Sequence, residues 1–82
     1  MKTIVENATS LSKYLVEDSV AITASSDCIV IGDPAKLIVD DLNSANATIR
    51  ENVTNAPEDW IGNKYTFDGT TWAEDSNWVA LE

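Results

Sequence analysis

The chain has 82 residues, 14 of them acidic and five basic, giving a formal charge of −9, with no histidine and one cysteine. That length accommodates one small domain over residues 1–82, and a hydrophobic fraction of 44% with 23% charged residues is that of a globular chain. Five basic residues scattered from Lys2 to Lys64 cannot form a phosphate-tracking surface or an anionic-membrane patch, so neither nucleic acid nor membrane is an expected partner.

Without histidine, the commonest acid–base group and zinc ligand are missing, and Cys28 alone cannot make an intrachain disulfide or a cysteine zinc site. A non-enzymatic protein without cofactor or metal is the expectation. Cys28 itself, in the apolar run Cys28-Ile29-Val30-Ile31, reads as a buried and inert thiol, compatible with a reducing cytoplasm. No signal-peptide core follows Lys2, and no apolar run is long enough to span a bilayer.

In chain order, the apolar segments are short, β-branched and separated by turn residues, which predicts a small all-β domain. Five to seven short strands would form an antiparallel sandwich or partly open barrel. Thr3 to Glu6 is expected at a sheet edge, followed by a strand from Ser12 to Val16. Beyond the Asp18-Ser19 turn, Val20, Ile22 and Ala24 alternate with Ala21, Thr23 and Ser25, placing the first set on a buried face. Cys28 to Ile31, apolar throughout, suits a strand covered on both faces, stopped by Gly32-Asp33-Pro34. Leu37-Ile38-Val39 makes another strand, ended by Asp40-Asp41. Residues 42–46 form a polar connection and 47–53 alternate as a strand does, with a helix over 42–52 as the second reading.

Tyr65-Thr66-Phe67-Asp68-Gly69-Thr70-Thr71-Trp72 carries a hairpin signal, since Asp-Gly suits a two-residue type I′ turn. That turn would set Phe67 opposite Thr70 and Tyr65 opposite Trp72, with Tyr65, Phe67, Thr70 and Trp72 on one face.

Five of the six aromatic residues lie between Trp60 and Trp78. Packed inward, they supply the core of a domain too small to rely on aliphatics; left exposed, Trp60, Tyr65, Trp72 and Trp78 are the candidate partner or ligand contacts. Four adjacent carboxylate pairs, Glu17-Asp18, Asp40-Asp41, Glu58-Asp59 and Glu74-Asp75, read as solvated caps of strand ends. Neighbours on a strand point to opposite faces, so they make poor acid–base partners, and no calcium-loop spacing is present. The Asn-x-Thr triplets at Asn7, Asn46 and Asn52 read as loop and strand-edge chemistry.

The stretch from residue 38 to 79 includes Leu42-Asn43-Ser44, Asn46-Ala47-Thr48, Asn52-Val53, Asp59-Trp60, Gly62, Lys64-Tyr65, Phe67-Asp68-Gly69, Thr71-Trp72 and Trp78. This order resembles a C-terminal pattern recurring in short proteins of marine tailed phages, notably those infecting cyanobacteria. The resemblance implies a phage or phage-derived origin and a small all-β virion-associated protein, with no catalytic residues assigned. Together with the terminal aromatic cluster and the missing catalytic chemistry, it makes a non-enzymatic accessory or decoration protein, binding protein subunits or its own copies in the virion or the bacterial host cytoplasm, the expected function. A glycan-binding module using the C-terminal aromatics and an acidic inhibitor of a host protein are the alternatives.

Overall fold

The structure is a computed structural model, and it describes residues 1–76 and 78. Val79, the last residue of the stretch compared above, lies outside the described residues. Among the described residues the fold is all-β: β1 (Lys2–Glu6), β2 (Ser12–Val16), β3 (Ile22–Ala24), β4 (Ile29–Ile31), β5 (Leu37–Val39), β6 (Ala47–Arg50), β7 (Tyr65–Phe67) and β8 (Trp72–Glu74). These eight short strands are one more than the five to seven expected, and the C-terminal hairpin forms a two-stranded sheet. The sheets are antiparallel, in the orders β2-β1-β6, β3-β4-β5 and β7-β8, and none closes into a barrel.

The three sheets pack around β1, and the pleat of that strand shows why. Successive side chains on a strand point to opposite faces. Ile4, fully buried, turns to one face with its cross-strand partners Tyr14 and Ile49 and packs on Ile29, Ile31, Val39 and Leu42. Val5 turns to the other face and packs with Val53 and Phe67. The β1 sheet is therefore the middle one, packed by β3-β4-β5 on the Ile4 side and by Val53 and Phe67 on the Val5 side, with β7 of the hairpin also bridged to Leu11 ahead of β2. Thr3-Ile4-Val5 is buried throughout, and this corrects the expectation of an edge position: β1 is the central strand of the central layer. The sequence signal was there, since three β-branched residues in a row leave no solvent face.

A bulge between Ile4 and Val5 skips Lys13, so that Ile4 pairs with Tyr14 but Val5 pairs with Ser12. The bulge turns Ser12 onto the same face as Thr3, where the two hydroxyls bond each other in full burial.

In the outer sheet only one face is covered. Ile29 and Ile31 point into the core, whereas Val30 is half-buried and its partners Thr23 and Ile38 are exposed. The expected burial of both faces of Cys28–Ile31 fails because, among the described residues, no further layer lies beyond this sheet. Cys28, ahead of the strand, is half-buried rather than buried, and its N–H donates to Ser25 Oγ. Val20 and Ile22 pack on the core as expected, but Ala24 at the outer strand's end stays exposed.

The polar connection at 42–46 hides a core residue, since Leu42 is 2% exposed. It is fixed by two asparagines: Asn43 Oδ1 accepts from the Ala45 and Asn46 amides, and Asn46 Oδ1 accepts from the Asn43 amide. These side-chain bonds supply the turn a helix start would otherwise need, and β6 follows directly. Three of the carboxylate pairs fall where β2, β5 and β8 end.

Candidate functional site

The C-terminal aromatics are organised by two neighbours, the buried hydroxyl pair on the middle sheet and the hairpin turn. Trp60 sits in the turn-rich segment before β7, held against β2 by the Asn63 amide donating to Ser12 O at 3.0 Å. Gly62 permits that approach: a Cβ there would stand 3.0 Å from Lys13 O. Trp60 Nε1 donates to Ser12 Oγ at 2.9 Å, and Thr3 Oγ1 donates to the Tyr14 carbonyl at 2.8 Å. An indole N–H can only donate and a carbonyl can only accept, so the Thr3–Ser12 bond is directed. The proton order runs from Trp60 through Ser12 to Thr3 to Tyr14. Among the described residues, every buried side-chain nitrogen and oxygen has a partner.

The hairpin turn differs from the expected type I′ form. Phe67 pairs with Trp72, Thr66 with Ala73 and Tyr65 with Glu74, so the loop spans four residues instead of two. Gly69 has φ +109°, but Asp68 does not adopt positive φ as a type I′ turn requires. Instead Asp68 Oδ1 accepts from the Thr71 amide at 2.7 Å, the Thr70 amide at 2.9 Å and the Thr70 hydroxyl at 3.1 Å. These three donors, the Thr71 amide foremost, hold the Asp68 carboxyl below the usual carboxylate range. A slip of two positions keeps every side chain on its expected face. Tyr65, Phe67 and Trp72 thus still share a face, but Trp72 stacks on Phe67 with ring centroids 4.4 Å apart and meets Tyr65 diagonally, edge-on at 6.3 Å.

Tyr65 carries a polar cluster. Asp59 accepts from Lys64 Nζ at 2.9 Å and from the Tyr65 hydroxyl at 2.7 Å, and Lys64 Nζ stands 5.6 Å from the Tyr65 ring centroid. The Lys64 bond, then the Tyr65 bond, lowers the Asp59 carboxyl; the same contacts with Asp59 raise both Lys64 and Tyr65. Trp72 Nε1 donates to Asn55 Oδ1, and Asn55 Nδ2 donates to the Thr70 carbonyl. Trp78 is half-buried, its amide bonded to Asp75 O.

Of the four candidate rings, then, Tyr65 and Trp72 come together, Trp60 is held on β2, and Trp78 follows the turn after β8. All four are half-buried, and the two indoles of Trp60 and Trp72 already donate within the chain.

The most exposed large apolar side chains lie elsewhere. Ile38 is 57% exposed and Leu37 44%, both on β5, whose outer edge pairs with no strand among the described residues. Ile61, before β7, is 50% exposed. A groove of about 370 Å³ lies between the segment before β3 and the turn after β4, lined by Val20, Ala21, Gly32, Asp33 and Lys36 together with Ser19. Reading the sequence for aromatics missed this edge. Its signal was a three-residue apolar strand bracketed by Lys36 and Asp40-Asp41, next to the Gly32–Pro34 turn.

Comparison with known proteins gives no match: no family model matches the chain, and no curated protein or solved structure matches it.

Proposed function

We propose that the protein is a non-enzymatic virion accessory or decoration protein of a tailed phage, acting through contacts with other protein subunits. The observation that carries this reading is the β5 edge, unpaired among the described residues, where Leu37 and Ile38 stand exposed in a chain of charge −9. A strongly acidic surface resists non-specific association, so an apolar edge on it is a selective contact. An unpaired strand recognises a partner by main-chain hydrogen bonding, with alternate side chains giving specificity. The phage attribution rests on the resemblance of residues 38–79.

Mass spectrometry of purified particles tests it. The chain should be present in stoichiometric amount, with cross-links through residues 36–41 to a neighbouring protein subunit, a second copy of the chain included. Particles free of the chain would overturn the reading.

A further inference from the structure

Building on β5 as a contact surface, we infer that β5 pairs antiparallel with the β5 of a second copy of this chain, about a two-fold axis at Ile38. The outer edge of β5, unpaired among the described residues, and its exposed Leu37 and Ile38 call for a strand partner. The flanking charges specify which one. A two-fold contact requires a surface that complements itself. Read antiparallel against itself with Ile38 opposite Ile38, the segment Lys36-Leu37-Ile38-Val39-Asp40 sets Leu37 opposite Val39 and Lys36 opposite Asp40. Each copy thus offers one cation and one anion to the other, on the same face of the sheet, and apolar meets apolar between them.

Other registers lose this match. Moving the axis to Val39 sets Ile38 opposite Asp40, and moving it to Leu37 sets Lys36 opposite Ile38. A slip of one residue brings Leu37 opposite Asp40, or Lys36 opposite Val39, and also turns the core face of one copy toward the solvent face of the other. Lys36, Ile38 and Asp40 are all exposed, so the pairing demands no rearrangement of the core. Two three-stranded outer sheets become one continuous sheet, and the edge that would otherwise recruit strands at random is closed.

Sedimentation equilibrium on the full chain tests the proposal, with far-UV circular dichroism as the folding control. The wild-type chain should dimerise. Lys36→Asp and Asp40→Lys each place like charges opposite one another twice, and each should raise the dissociation constant roughly tenfold or more. Mixing the two variants restores opposite charges at both positions, so the mixture should form the heterodimer that neither forms alone, which also shows both to be folded. A wild-type chain monomeric at millimolar concentration, or a dimer indifferent to both substitutions, would overturn the proposal. Particle mass spectrometry separates the two readings: a monomer found in particles overturns the dimer alone, whereas a dimer missing from particles overturns the virion role alone.

Discussion

Trp60 Nε1 and Ser12 Oγ, 48 residues apart in sequence, are joined by a 2.9 Å hydrogen bond that ends on a buried hydroxyl. Through it the C-terminal segment is tied to the middle sheet by a polar chain as well as by apolar packing. Ser12 is fully buried and serves both as acceptor from Trp60 and as donor to Thr3.

Ser12→Ala removes both roles at once. The Trp60 indole N–H loses its partner and one interaction of Thr3 is lost, so the expected destabilisation is about 1–3 kcal/mol. Trp60→Phe keeps most of the ring but not the donor, and should cost less. Urea unfolding of both variants and the double variant checks this; the double variant should lose less than the sum of the two single losses, because each removes the same bond.

Ile4 is the pivot of the middle sheet and is 0% exposed. Ile4→Ala is expected to cost about 2–5 kcal/mol through lost burial and the cavity left behind. A domain this small has a thin margin, so thermal unfolding should show the variant partly or wholly unfolded near room temperature.

Gly32 has φ +100°, and a Cβ there would lie 3.1 Å from both Lys36 N and Pro34 O. Backbone atoms cannot swing aside as a side chain does. Gly32→Ala should therefore destabilise by about 1–3 kcal/mol and loosen the β4–β5 turn, read as faster amide exchange at Lys36, whose N–H donates to Ile31 O.

Asp68 links the hairpin to pH. Its folded-state carboxyl lies below the ordinary value because it accepts from Thr71, Thr70 and the Thr70 hydroxyl. A lowered carboxylate contributes stability above its unfolded value and loses it as pH falls through the folded one. Hairpin order should accordingly hold at neutral pH and decline in acid below the usual carboxylate range. The Thr70 and Thr71 amide resonances report it, and Asp68→Asn should weaken the pH dependence. The Asp59 carboxyl, lowered by Lys64 and Tyr65, titrates in the same direction, so the Asp68→Asn difference isolates the turn.

The sequence disclosed the strands themselves more fully than their neighbours. Residues 12–16 and 37–39 form strands where alternation and β-branching placed them, because local pattern and tertiary burial agree there. Layer order was not legible. Whether Thr3-Ile4-Val5 lies at an edge or between two layers depends on pairing with β6, more than forty residues away. The hairpin register turned on a single carboxylate: Asp68 binding three donors favours a four-residue loop over the two-residue turn that Asp-Gly suggests. Tyr65 and Trp72 share a face as the alternation predicts, though they meet diagonally and not directly opposite, and the β5 edge was missed, since exposure of Leu37 and Ile38 follows only from their place in the outermost sheet.

The most direct measurement is amide hydrogen exchange across the chain as a function of its concentration. If β5 is the contact edge, protection rises with concentration at the β5 amides that point away from β4, while Thr23 on the opposite edge of the same sheet stays unchanged. Exchange at β5 that is the same at every concentration, with or without structural subunits added, would contradict the account.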